Sequence, residues 1–228
     1  MIKAVFFDLY ETLITEWEDG KKKVTYSTDL LGLDQKIFKS EWDRRREFRM
    51  DGTFPDHQSV LRDILSSQGI SHNPEVIEDI HQARVSAKAA AFQEIHGEVL
   101  ELLRTLIDRR IKLGLISNAA PEEVYAWPSC ILADYFDEVI FSYVVRVAKP
   151  NKQIYQIGCE RLGVIPQESI FIGDGGANEL VGAADFGMNA YHATWFLPET
   201  ISEKIYGFPK LKKPLDLLEQ ECIKLAQV

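Results

Sequence analysis

The sequence predicts an α/β protein, a doubly wound parallel sheet with a helical domain inserted into it. Three observations carry this. Short β-branched and aromatic runs, "KAVFFD", "KLGLISN" (112–118), "EVIFSY" (138–143), "SIFIGD" (169–174) and "NAYHAT" (189–194), are apolar without alternation, as strands buried on both faces must be. Long helical patterns separate the later runs, as parallel crossovers require. Between about residues 15 and 95 no such run occurs, so an all-helical block interrupts a sheet whose first strand must still pair with later ones.

The elements follow in order. After the first strand, "WEDGKKKVTY" (17–26) reads as a small hairpin turning at Asp19-Gly20. "KIFKSEWDRRREFRM", "HQSVLRDILSSQG" and "PEVIEDIHQARVSAKAAAFQ" read as helices of the insert. "GEVLELLRTLIDRR" (97–110) places Val99, Leu102, Leu103 and Leu106 on one stripe, and "KQIYQIGCERLGV" (152–164) is stopped by Gly163. The expected division is a core of residues 1–14 and 96–228 around a domain of residues 15–95.

Composition narrows the function. The chain has 228 residues, 46% of them hydrophobic, and a formal net charge of -9. That size supports a substantial core. The acidic balance argues against nucleic acid, which needs a basic face, and means that an anionic substrate must be drawn by a local cation. Cys130, Cys159 and Cys222 are odd in number and far apart, giving neither a disulfide framework nor a zinc spacing. No basic leader and no long uncharged apolar segment appears, so a cytoplasmic protein with no membrane partner is expected, as monomer or homodimer.

In an open parallel sheet, ligands bind beyond the carboxyl ends of the strands. Asp8, Ser117, Asn118, Lys149, Asp174 and Glu179 all fall there. Singly, each is compatible with a cap, a turn or a solvated charge. Jointly, in one order and on one sheet edge, they read as a site. Acids grouped there would repel an anionic substrate unless a hard divalent ion bridged them, and oxygen donors with no adjacent His or Cys favour magnesium over zinc. The "GDGG" stretch lacks both GxGxxG and GxxxxGK[ST], so it is a poor dinucleotide or P-loop match.

Four ordered motifs, "DLYETL" (8–13), "ISN" (116–118), "AKP" (148–150) and "GDGGANE" (173–179), resemble those of the haloacid dehalogenase-like hydrolases, and the insert sits where the subclass with a C1-type helical cap carries its cap. The resemblance implies Asp8 as nucleophile, Ser117 and Lys149 as catalytic partners, and Thr12 and Asn118 on the substrate side. It implies magnesium held by Asp8, the main-chain carbonyl of Tyr10, Asp174 and Glu179. The activity implied is a phosphatase acting on a small phosphorylated metabolite through an aspartyl phosphate.

Tyr10 departs from the pattern. Phosphatases of the family usually have an aspartate there as general acid, whereas its 2-haloacid dehalogenases have a tyrosine. Those dehalogenases, however, work without a metal and lack the acid that Asp174 supplies here. Tyr10 is therefore a candidate catalytic residue, and a 2-haloacid dehalogenase or a weakly catalytic phospholigand-binding protein stands as the alternative. In the insert, Arg45 and Arg49 lie one turn apart and are candidates to reach an anionic substrate, while Trp17, Trp42, Phe48 and Phe54 read as packing between the two parts.

Overall fold

The structure is a computed structural model and describes residues 1–224. Its main sheet is built from β1 (Ala4–Phe7), β4 (Lys112–Ser117), β5 (Glu138–Phe141), β6 (Ser169–Gly173), β7 (Asn189–Ala193) and β8 (Lys210–Leu211), in the order β5-β4-β1-β6-β7-β8. Every neighbouring pair is parallel. The five expected strands are present. β8, two residues long, carries too short an apolar run to be read from sequence. The run 138–143 stops as a strand at Phe141 because Ser142 opens a helical turn, its Oγ accepting from the Ala119 amide at 3.0 Å.

Between β1 and β4 lie a hairpin, β2 (Trp17–Glu18) and β3 (Lys21–Lys22), and four helices: α1 (Gln35–Arg44), α2 (Arg46–Met50), α3 (His57–Ser67) and α4 (Pro74–Ala89). The hairpin turns where expected, with Asp19 and Gly20 both at positive φ (49° and 75°), as a tight two-residue loop demands. The helix starts are chemically marked. Asp34 accepts from the Lys36 and Ile37 amides, Asp56 and Ser59 form a capping box, and Asn73 accepts from Glu75 ahead of Pro74. These helices enclose their own apolar cluster of Leu31, Leu61, Leu65, Ile77 and Ile80.

One expected helix is divided. The stretch 36–50 breaks at Arg45 (φ -93°, ψ 8°). There the Arg45 guanidinium itself donates to the Glu41 carbonyl at 3.0 Å, the acceptor that the residue's own amide would use in an unbroken helix.

The remaining α-helices among the described residues are α5 (Gly97–Asp108), α6 (Ser142–Val145), α7 (Lys152–Leu162), α8 (Glu179–Phe186), α9 (Glu199–Ser202) and α10 (Glu221–Lys224). Side chains of β1 alternate between two cores. Val5 and Phe7 join Val99, Leu102, Leu103 and Leu106 of α5, while Ala4 and Phe6 join Ile154 and Tyr155 of α7 and Leu180 and Ala183 of α8. Phe6 is fully buried because its neighbours lack side chains. A Cβ on Gly114 would lie 2.3 Å from its ring, and one on Gly158 2.9 Å. Burying such a ring stabilises the fold by about 1.5–3 kcal/mol. Among the described residues no helix is long and apolar enough to cross a membrane.

In this register Phe7 stands opposite both Leu115 and Ile172, so Asp8, Ser117 and Asp174 leave the sheet at one edge.

Candidate active site

Lys149 is the hub of the site. Its ammonium contacts Asp8 Oδ1 at 2.5 Å, Glu179 Oε2 at 2.5 Å and the Ile116 carbonyl at 2.9 Å. Its three donors are thereby all used. The main chain beneath is held twice by Asn118, whose Oδ1 accepts from the Lys149 amide at 2.7 Å and whose Nδ2 donates to the Lys149 carbonyl at 2.9 Å. Asn118, expected to face substrate, is thus committed to positioning the lysine loop.

Asp8 and Glu179 are each buried, and burial raises both carboxyl pKa values. At Asp8 Lys149 offsets part of this and Asp174 adds to it, whereas at Glu179 the charge of Asp8 adds before Lys149 offsets. Lys149 is held above its ordinary range. Burial alone would lower it, but the two carboxylates outweigh burial.

Glu179 is fixed on every side. Its Oε1 accepts from the Gly175 amide at 3.1 Å, and its main-chain carbonyl accepts from the buried Tyr155 hydroxyl at 2.7 Å. The close approach of Oε1 to the strand depends on Gly173, where a Cβ would lie 2.0 Å away. Asp174 is less enclosed and accepts from the Gly176 amide through Oδ1 at 2.8 Å.

Oxygens of Asp8, Asp174 and Glu179 lie within 4.8 Å of one another, an all-oxygen donor set suited to a hard divalent ion. Fit is best at Asp8 and Asp174. Both oxygens of Glu179 already have partners, so its first service is to hold Lys149. Ser117 is buried at the end of β4, and Thr12 is fully buried with no hydrogen-bond partner for its Oγ1 among the described residues.

The remaining candidates are placed elsewhere. The Tyr10 hydroxyl donates to the Glu123 carbonyl at 2.5 Å, and its ring meets Phe92 edge-on at 6.2 Å under the Lys88 ammonium. Burial, then the charges of Glu123 and Glu16, push its pKa far above the ordinary phenol value. Arg45 is paired with Glu41 and with Asp63 (2.6 Å) within the helical insert. Arg49 is buried with its guanidinium 3.9 Å above the Trp42 ring, and burial holds it down at about 10. The break at Arg45 sends the two arginines, expected to act together, to different surroundings.

Sequence reading missed the charged seam between insert and core. Arg84 of α4 binds Glu122 at 3.0 Å and Glu123 at 2.6 Å, the two acids that follow Asn118 and Pro121. Lys88 adds a bond to Glu16 at 3.0 Å. The only sequence hint is the "PEE" turn following a strand-end asparagine; its partner is 39 residues away from Glu123.

Comparison with known proteins agrees with this geometry. The family model of haloacid dehalogenase-like hydrolases matches residues 2–187. A glyceraldehyde 3-phosphate phosphatase of Methanopyrus kandleri is 26% identical over 194 residues, 82% of each chain. An (S)-2-haloacid dehalogenase of Xanthobacter autotrophicus is 28% identical over 219 residues, 90% of this chain and 80% of that protein. In fold, the HAD phosphatase from Thermococcus onnurineus superposes with a TM-score of 0.62 at 20% identity, over 96% of this chain and 97% of that one. With the four motifs converging on one strand edge and the family model spanning most of the chain, the protein belongs to the haloacid dehalogenase-like hydrolases.

Proposed function

We propose that the protein is a magnesium-dependent phosphatase acting on a small phosphorylated metabolite, with residues 15–95 as its cap. The observation that carries the reading is the convergence of Asp8, Asp174 and Glu179 on one buried point with Lys149 bonded between two of them. A site for a carboxylate substrate would have little use for a further free acid, and Asp174 is such an acid. Asp8 and Asp174, with the Tyr10 carbonyl, would hold the ion, and Glu179 would steady it from behind Lys149. When bound, the ion supplies positive charge against the phosphoryl oxygens.

Asp8 attacks phosphorus through a carboxylate oxygen, forming an aspartyl phosphate while the ester oxygen leaves with a proton drawn from solvent. Water then breaks the P–O bond to Asp8, releasing inorganic phosphate and restoring the carboxylate. Lys149 orients Asp8 and balances its charge throughout, so it acts in both steps without giving up a proton. Ser117 and Thr12 are the neutral donors available to the phosphoryl group.

Tyr10 favours a second reading, a 2-haloacid dehalogenase, because a departing halide needs no proton. Parallel assays separate the two. Phosphate release from 4-nitrophenyl phosphate is expected with magnesium, lost with a chelator and lost in Asp8→Asn. Chloride release from 2-chloropropionate that persists in chelator would overturn the phosphatase reading.

A further inference from the structure

Beside the acid centre opens a cavity of about 680 Å³. Asp174 and Glu11 form its polar end, and its walls are Trp17 of the hairpin with Trp195, Phe196 and Ile201 from the segment after β7. The volume is that of a small-molecule pocket. Asp174 belongs both to the cavity lining and to the acid cluster, so the cavity borders the candidate site.

We propose that this cavity receives the alcohol portion of the substrate, and that the substrate class is phosphomonoesters of uncharged, apolar alcohols, aryl or alkyl. This rests on the phosphatase reading and adds the specificity to it.

Three features carry the assignment. First, the lining has no cation. Its charged members are Glu11, Asp19 and Asp174, all acids, so a second anionic group on the substrate, such as a carboxylate or another phosphate, would be repelled. Within the insert, Arg45 and Arg84 are neutralised by their own carboxylates, and Lys22, whose ammonium lies 5.6 Å from the centre of the Trp17 ring, is paired with Glu16 at 3.6 Å.

Second, several of the lining's polar groups are already occupied. Glu11 sits at positive φ (58°) with Oε2 accepting from Thr15 Oγ1 at 2.5 Å and Oε1 from the Glu16 amide at 3.1 Å. The Trp195 indole N–H donates to the Thr12 carbonyl at 2.9 Å, which fixes that ring against the nucleophile loop. A polyol would find few free donors.

Third, the mouth exposes apolar surface. Trp17 and Ile201 are 43% and 48% exposed although both line the cavity. Side chains of that kind leave water on contact with an apolar ligand.

The bond from phosphorus to Asp8 forms, the bond to the ester oxygen breaks, that oxygen takes a proton from solvent, and the alcohol retreats into the aromatic pocket.

The test compares 2-phenylethyl phosphate, glycerol 3-phosphate and 3-phosphoglycerate, all with unactivated alkyl leaving groups, in the wild type and in Ile201→Glu. Expected is a kcat/KM for the phenylethyl ester at least about tenfold above either polar ester, and a collapse of that ratio to within about threefold in the variant. A wild-type preference for either polar ester, or an unchanged ratio in folded Ile201→Glu, overturns the proposal. A binding arm needs no turnover. The neutral probe 4-nitrobenzyl alcohol should quench tryptophan fluorescence saturably, with weaker binding to Ile201→Glu and to Trp195→Phe. Binding without hydrolysis of any ester leaves the pocket standing and sinks the phosphatase reading. Absence of saturable quenching removes the pocket.

Discussion

The phenolic hydroxyl of Tyr10 donates to the main-chain carbonyl of Glu123, so the side chain at the family's general-acid position spends its proton on the loop that follows Asn118. That bond accounts for the hydroxyl without a part in proton transfer. It ties the loop after Asp8 to the acids that also hold α4.

Tyr10→Phe is therefore expected to keep kcat for an aryl phosphate within about threefold and to lose about 1 kcal/mol of stability, the usual worth of one hydrogen bond. General acid–base participation would instead show as a loss of about 100-fold or more. Turnover and urea midpoint measured on the same preparation decide between them.

How legible the molecule was depends on the range of the interaction. Strands β1, β4, β5, β6 and β7 could be read because a strand buried on both faces must be locally apolar, and the parallel topology then forces Asp8, Ser117 and Asp174 to one edge. Lys149 was legible for the same reason. What could not be read was any side chain whose role is set by a distant partner. Arg84 looks like one more helix arginine until Glu122 and Glu123 stand against it. Arg45 and Arg49 are a plausible pair on an ideal helix, and a single competing bond to the Glu41 carbonyl separates them. Tyr10 could be placed at its motif position, but its hydroxyl's acceptor, a main-chain oxygen 113 residues on, leaves no mark in sequence.

Gly173 has a sharper consequence. A Cβ there would lie 2.0 Å from Glu179 Oε1 and 2.6 Å from its Cδ, an overlap that only displacement of the carboxylate can relieve. Gly173→Ala should push Glu179 off Lys149 and the Gly175 amide. The expected result is a folded protein with activity lowered about tenfold or more, and a magnesium half-saturation shifted upward. An alanine variant with unchanged metal dependence would show that Glu179 has no part in holding the site's charge.

Arg84 should be indispensable to the seam. It is buried, and its pKa rises despite burial because Glu123, the Tyr26 hydroxyl and Glu122 surround it. Removing one member of a buried charge network costs about 3–5 kcal/mol, since the partners remain buried and uncompensated. Arg84→Met should fall in that range by urea denaturation. Adding Glu122→Gln should recover part of the loss, which two independent sites would not do.

The last expectation concerns His57, buried in the insert between the rings of Trp42 (5.4 Å) and His81 (5.7 Å), with neither ring nitrogen hydrogen-bonded among the described residues. Burial, followed by the charges of Arg84, His81 and Arg49, lowers its pKa from 6.5 to about 2. The folded protein therefore keeps this imidazole neutral where the unfolded chain protonates it. Between those two values the unfolded state binds the extra proton, so stability rises with pH. The contribution is complete above about pH 6.5 and is lost as pH falls below it, at up to about 1.4 kcal/mol per pH unit. His57→Phe keeps an aromatic ring against Trp42 and removes the titration. Urea unfolding at pH 8.5, 7.5, 6.0 and 5.0 should give a wild type that weakens faster than the variant across the two lower values, with nearly parallel behaviour above pH 7. If the two curves keep a constant separation from pH 7.5 to 5.0, His57 is being protonated in the folded state, and the charged seam beside it must have room for another cation.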